Sequence, residues 1–282
     1  MTRSTAGAQP LISNISDTAR WIAAYRAIES ARPDALFDDP LADRLAGSRG
    51  HAIVAAAPRI SWALVARTKL IDDIVLKAVR DGCDRVLNLA AGLDTRPYRL
   101  NLPPDLPWVE ADLPALLSEK EQSLAGQTPR CQLTRAAVDL ADPVARAGFL
   151  GDALAGASRA LVVTEGLLMY LDYRDVVALS EALTRPEIAW WLIEFWGAGL
   201  KKWMDKKTDA IMQNAPFKFG PANGVAYFED LGWKPLEVES VLSAAHRFHR
   251  LPLWYRFLAN LPQPDPRNPG RIRWSAVTRL AR

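Results

Sequence analysis

From residue 85 onward the chain alternates short apolar runs with amphipathic stretches, and this alternation limits the possible folds more than any other feature. The apolar runs are residues 85–90, 108–111, 132–138, 159–164 and 188–196, and helical periodicity marks 114–124, 142–154 and 175–183 between them. Alternation of this kind predicts βαβ units and a largely parallel sheet. Residues 234–241 and 272–280 read as two further strands. In such sheets ligands bind beyond the carboxyl ends of the strands, at the first turn and where the strand order reverses.

Upstream the pattern is helical. Residues 1–15 are polar and read as a flexible N-terminal arm. Ser16 or Asp17 then caps a helix with Trp21, Ile22, Tyr25 and Ile28 on one face, ended by Pro33. Asp39-Pro40 is expected to open a short helix, with Asp as the cap and Pro in the first turn. A longer helix is expected over residues 58–79, burying Trp62, Val65, Leu70, Ile74 and Val75, with Asp81-Gly82 as its stop.

Composition removes several classes of protein. No segment approaches the ~18 uncharged apolar residues of a membrane helix, and the N-terminus lacks the apolar core of a signal peptide. Two cysteines, Cys83 and Cys131, cannot build a disulfide framework or a Cys-rich zinc site, so reduced thiols, no metal and a cytoplasmic location are expected. A net charge of +3 gives no case for a nucleic-acid or membrane partner. That sum hides an asymmetry: residues 246–282 hold eight arginines and one acid, Asp265, on an otherwise mildly acidic chain. This basic end reads as a solvated face able to attract an acidic acceptor or an oligomer partner such as a second copy.

The most informative stretch is Val86-Leu87-Asn88-Leu89-Ala90-Ala91-Gly92-Leu93-Asp94-Thr95-Arg96. A strand runs into small residues that let a ligand approach the backbone, then into polar residues that can start a helix and offer free N–H donors. The stretch is not G-x-G-x-x-G, which disfavours a dinucleotide and hence a nicotinamide dehydrogenase. About 20 residues after Gly92, Asp112 ends the second apolar run, where a carboxylate can accept both hydrogens of a ribose diol. Asp112 could instead cap the helix opening at Pro114.

Thr18-Ala19-Arg20-Trp21, Arg32-Pro33-Asp34-Ala35-Leu36-Phe37-x-Asp39-Pro40, Ala91-Gly92-Leu93-Asp94-Thr95-Arg96, Glu110-Ala111-Asp112-Leu113-Pro114 and Thr164-Glu165-Gly166-Leu167-Leu168-x-Tyr170 occur in this order. As an ordered set over about residues 16–200 they resemble the leucine carboxyl methyltransferase-like family of class I S-adenosylmethionine-dependent methyltransferases, in its bacterial small-molecule O-methyltransferase branch. The resemblance implies a Rossmann-like, seven-stranded, mostly parallel sheet with helices on both faces and a helical N-terminal segment. It implies one methyltransferase unit over 16–282: a helical segment at 16–82, a cofactor-binding core at 83–200, an acceptor lid at 201–232 and C-terminal strands at 233–282.

The resemblance also implies site roles. Ala91, Gly92 and Asp94 would approach the methionine part of S-adenosyl-L-methionine, and Asp112 would hold its ribose. Asp139 and Leu140 would flank its adenine. Glu165 would sit beside its amino group and the transfer site. Arg67, or less directly Arg20, would pair with its carboxylate, and Tyr170 would position the acceptor. Three departures stand out: many relatives have Gly where this chain has Ala90, the general methyltransferase pattern has an acid where it has Asn88, and the phosphatase-methylating branch commonly has Arg where it has Ala141.

A methyl on a sulfonium is already activated, so a carboxylate acceptor, ionised at pH 7, needs no general base, whereas a phenol would benefit from one. The three histidines, His51, His246 and His249, lie outside every motif, and His51 reads as a helix cap. A carboxylate acceptor is therefore favoured. Trp190, Trp191, Trp196, Trp203, Phe217, Phe219, Tyr227 and Phe228 supply both sheet core and a lining suited to an aromatic or polyketide-like acceptor. The alternatives are a methyltransferase of a protein C-terminal carboxylate and a non-catalytic S-adenosylmethionine-binding protein. A base-modifying enzyme is disfavoured because Thr164-Glu165-Gly166-Leu167 stands where an Asn-Pro-Pro-Tyr type segment would be.

Overall fold

In a computed structural model of the chain, residue 12 and residues 15–56, 61–208 and 215–282 are described. Three helices come first: α1 (Ile15–Ser30), α2 (Ala42–Ala56) and α3 (Ser61–Arg80). The alternating part follows as β1 (Arg85–Leu89), α4 (Arg96–Arg99), β2 (Pro107–Asp112), α5 (Pro114–Ser123), β3 (Gln132–Ala137), α6 (Pro143–Leu154) and β4 (Ala160–Thr164). After a 3-10 turn at Leu168–Tyr170 come α7 (Tyr173–Ala182), β5 (Ile188–Trp196), α8 (Ala198–Thr208) and α9 (Ala226–Asp230). The chain closes with β6 (Lys234–Ser240), α10 (Val241–Arg247), α11 (Leu253–Ala259) and β7 (Ser275–Ala281).

The strands form one sheet in the order β3-β2-β1-β4-β5-β7-β6. The first five are parallel, while β7 runs antiparallel between β5 and β6. The seven-stranded, mostly parallel Rossmann-like sheet expected from the sequence is therefore present. The order reverses between β1 and β4, which puts the ligand-binding crevice beyond their carboxyl ends.

Side-chain alternation along β5 divides the core in two. Trp191, Ile193 and Phe195 join the cluster that includes Leu87, Leu150 and Leu179, on one face of the sheet. Trp190 and Leu192 join Leu70, Ile74 and Val86 on the α3 and α10 face. Glu194 has the parity of this second set, so it points at α3 rather than at solvent. Trp203, by contrast, lies under the Arg273 guanidinium.

Several local expectations are corrected. Asp39-Pro40 opens no helix, since α2 starts at Ala42. Asp39 is buried and accepts from Arg26 Nε at 2.8 Å and Thr95 Oγ1 at 2.5 Å, so its side chain ties α1 to the turn after β1. Ile28 is exposed, because α1 packs on α2 through its small residues Ala19, Ala23 and Ala24, against Leu45 and Ala46. Gly50 is required there: a Cβ would lie 2.6 Å from the Arg20 carbonyl oxygen. His51 caps nothing; it sits within α2 and pairs with Asp43 at 2.8 Å. The arm expected at 1–15 lies outside the described residues except for Ile12, which is buried against Trp21, Leu64 and Phe217, and Ile15, which opens α1.

The C-terminal basic end is not a free positive face. Arg250 holds Glu29 at 2.7 Å, Arg279 holds Asp81 and Glu237 at 2.8 Å, and Arg247 and Arg267 pair with Glu239 and Glu229. Half of the arginines counted there bond acids, three of them far along the chain.

The turn after β1 is strained. Ala90 has φ 53° and Gly92 φ 50°, both left-handed. Glycine tolerates this region, whereas a Cβ costs about 1–2 kcal/mol there. Ala90→Gly is expected to raise stability by roughly 0.5–1 kcal/mol, the strain released less the extra chain entropy of Gly. An unchanged or lower urea midpoint would show that Ala90 is accommodated without strain.

Candidate functional site

A cavity of about 540 Å³ opens at the carboxyl ends of β1, β2 and β4. Ala91, Gly92 and Asp94 border it from the first turn, Asp112 from the end of β2, Asp139 and Leu140 from the loop after β3, and Glu165 and Tyr170 from the segment after β4. Arg67 reaches it from α3. Arg20, expected near the cofactor's carboxylate, does not border the cavity: its guanidinium is held by Asp17 at 3.3 Å and Glu119 at 2.6 Å.

Asp112 links two elements. Its Oδ2 accepts from the Gly92 N–H at 2.7 Å and its Oδ1 from the Leu113 N–H at 2.7 Å. It does not cap α5, whose N-cap is Leu113 with no side-chain capping bond. One bond per oxygen leaves lone pairs for a ligand. Burial pushes the Asp112 carboxyl up, and the two backbone N–H groups and Lys120 oppose that rise. Lys120 is itself fully buried, 2.8 Å from Glu110 on β2.

Along the α3 side of the cavity runs a buried network of charges. Arg67 donates through Nη1 to Glu194 at 3.0 Å and meets Glu165 through Nη2 at 2.9 Å. Arg96 meets Glu165 at 2.6 Å, Asp72 at 2.7 Å and Asp94 at 2.9 Å. Burial disfavours the charged form of Glu165, but Arg96 and Arg67 outweigh it and hold the carboxyl below its ordinary value. Asp94 is held well below the carboxylate range by Arg96 against the same burial cost. Asn88 Nδ2 also donates to Asp94 at 2.7 Å, which accounts for an Asn where the general methyltransferase pattern has an acid. Asp94 thus braces the turn while bordering the cavity.

Three of these residues were not singled out as site residues from the sequence. Arg96 borders the cavity and anchors three carboxylates. Glu194 orients Arg67 and accepts from the Trp196 and Gly166 N–H groups. Arg26 binds Asp39 and the Leu93 carbonyl under the turn. An acid within the apolar run of β5 and an Arg inside the turn motif were the available signals.

Beyond Glu165 the cavity becomes apolar. Trp21, Leu64, Met169, Trp196, Met204 and Phe217 border it there. The Phe217 ring lies between Trp196 at 4.6 Å and Tyr170 at 5.5 Å, centre to centre. Of the eight aromatics named from the sequence only Trp196 and Phe217 reach the cavity. Trp191 is sheet core, as alternation along 190–196 allowed, and Phe219 and Phe228 pack into the same cluster from outside the sheet. Burial pushes the Tyr170 phenol up to about 12 despite its bond with Thr18, so it carries its proton throughout the neutral range. None of the three histidines borders the cavity.

The chain matches the sequence profile described as leucine carboxyl methyltransferase over residues 19–184. It is 32% identical over 263 residues to a protein of Parafrankia sp. (strain EAN1pec) named for an inferred S-adenosyl-L-methionine-dependent methyltransferase activity, covering 85% of this chain and 83% of that one. A similarly named protein of Mycolicibacterium smegmatis is 30% identical, with 83% and 86% covered. Among solved structures, a protein of Thermobifida fusca YX described as an inferred methyltransferase superposes with a TM-score of 0.60 at 17% identity, over 96% of this chain and 95% of that one. A DUF574 family protein from Streptomyces avermitilis gives 0.59 at 17% identity, over 94% and 96%. These structures share the fold.

Proposed function

The chain belongs to the leucine carboxyl methyltransferase family, and from that membership and the form of its cavity we propose an S-adenosylmethionine-dependent O-methyltransferase of a small-molecule acceptor. Methyltransferase chemistry and the cofactor follow from the family. Oxygen as the methylated atom, and a carboxylate rather than a phenol, are the finer reading. The observation that carries it is one cavity with a charged, hydrogen-bonding half and an apolar, aromatic half that no histidine borders among the described residues.

The residues fit the cofactor. Asp112 has free lone pairs for a ribose diol, and the small residues Ala90, Ala91 and Gly92 leave the turn backbone approachable. Val138 and Leu140 give an apolar flank suited to a purine, beside the carboxylate of Asp139. Arg67 faces the cavity already shared by two glutamates, so it would meet the cofactor's carboxylate as part of a network. When bound, S-adenosylmethionine supplies a methyl group on a cationic sulfonium.

The chain's own residues then have three tasks. Asp112 and Arg67 orient the bound cofactor. Glu165, anionic but held by two guanidiniums, adds negative potential next to a cationic centre and is a poor proton acceptor. Trp21, Met169, Trp196 and Phe217 hold the acceptor and exclude water, which leaves proximity and orientation to set the rate. Tyr170 can donate a hydrogen bond to an acceptor oxygen but cannot take its proton near neutral pH. An acceptor that arrives ionised suits this site better than one that must lose a proton there.

The pH profile tests that choice. With a carboxylate acceptor, kcat/KM is expected to stay flat from about pH 6 to 9, since the acceptor ionises near 4. Tyr170→Phe should then lower the rate without adding or removing a limb. A profile rising tenfold per pH unit toward 10 would indicate a phenol ionising in solution and overturn the carboxylate reading. Absence of any thermal shift with S-adenosylhomocysteine would overturn the enzyme reading itself.

A further inference from the structure

Opposite its packed side, α11 presents large apolar residues to solvent. Leu253 is 75% exposed, Trp254 66%, Phe257 62% and Leu261, just past the helix, 53%. At about 100° per residue the three on the helix fall within an arc of roughly 100°. The inward arc holds Tyr255 and Ala259, which pack on the α3 face of the core, with the Tyr255 ring tilted against Trp62 at 5.7 Å between ring centres. Arg256 borders the apolar arc, is exposed, and forms no ion pair among the described residues. Contiguous projecting apolar groups of this kind mark an interaction site rather than ordinary surface.

We propose that α11 is an interfacial anchor that docks this face of the protein on an anionic membrane surface. The stripe is convex, made of side chains that project, so it suits a fluid apolar phase better than it would a peptide that needs a groove. Trp, Phe and Leu on one face with Arg at the margin is the pattern that seats a helix among lipid headgroups. The charge agrees: the one ionic residue of α11 itself, Arg256, is cationic, and the helix carries no carboxylate to oppose it. An antiparallel self-pairing about the helix midpoint would instead set two Arg256 guanidiniums against each other.

The anchor is tied to the cavity. Tyr255 rests on Trp62 at the start of α3, and Leu64 and Arg67 of the same helix border the cavity. Docking through α11 would therefore bring the cavity end of the sheet near the lipid, where apolar acceptors concentrate. Membrane attachment itself does not depend on the methyl-transfer reading, and the two can fail separately.

The test is co-sedimentation of the full chain with vesicles of equal parts phosphatidylglycerol and phosphatidylcholine, and with phosphatidylcholine alone. Binding is expected to the anionic vesicles and to weaken with salt. The pair Trp254→Ser with Phe257→Ser should cut the bound-to-free ratio at least ~tenfold, since it removes both aromatic groups that would enter the apolar phase. Arg256→Gln should reduce the preference for phosphatidylglycerol. The ligand-free unfolding midpoint should match wild type in every variant, which separates loss of anchoring from loss of fold. No binding to either vesicle, equal binding to both, or binding untouched by the double substitution would overturn the proposal. So would a dimer in sedimentation velocity that the double substitution dissolves, because the stripe would then bury a second copy.

Discussion

Arg96→Met is expected to lower the unfolding free energy by roughly 3–5 kcal/mol, the usual cost of removing one partner from a buried ion pair. Arg96 is 2% exposed and bonds Asp72, Asp94 and Glu165, which come from α3, the turn after β1 and the segment after β4. Asp72 keeps Arg99 and Glu165 keeps Arg67, so the uncompensated charge falls mainly on Asp94. The effect should depend on pH in a definite direction. Asp94 and Glu165 have folded-state pKa values below their ordinary ones, so their contribution is present above the ordinary carboxylate range and lost as pH falls through the folded values. In the variant the orphaned carboxyl instead gains by taking a proton. The gap between wild type and variant should therefore narrow from pH 7 to about pH 4. Urea unfolding at three pH values measures it. A gap under 1 kcal/mol, or one that widens in acid, would show that Arg96 is not the centre of the network.

Asp112→Ala is expected to weaken S-adenosylhomocysteine binding roughly 10- to 100-fold or more, since hydrogen bonds to a charged acceptor are worth about 1.5–3 kcal/mol each. The substitution also frees the Gly92 N–H, so the turn itself is loosened. Asp112→Asn keeps one acceptor oxygen and should fall between the two. Calorimetric titration, with circular dichroism to confirm the fold, decides the matter. Affinity within twofold of wild type would remove Asp112 from the ribose site.

The strands were legible because β1, β4 and β5 are short apolar runs bounded by polar turns, and β5 begins and ends where the apolar run does. Asp112, Gly92 and Glu165 were legible because they sit in local motifs at strand ends, where chain direction already places them. Asp39 and Ile28 were misread for a common reason. Helix-start and periodicity rules see a residue's neighbours in sequence, whereas Asp39 meets Arg26 and Thr95, and Ile28 loses its burial to the Ala face that packs on α2. Arg20 was misplaced because an arginine in a motif says nothing about which acids lie within its reach.

What the sequence determined by itself is the βαβ order, the family and the acid at the end of β2, because periodicity and strand-end motifs are properties of short segments. What the tertiary structure alone decided is which charges meet. Arg67 and Glu194 are 127 residues apart and Arg96 and Glu165 are 69 apart, yet folding brings both pairs together, the first buried and the second partly buried. Bringing such charges out of water is favourable only when several fit at once. The same holds for the eight C-terminal arginines, counted as a basic end in the sequence, of which four pair with acids that folding brings beside them. Charge is written residue by residue, but whether it faces water, a partner or a ligand is set only when the helices close on the sheet.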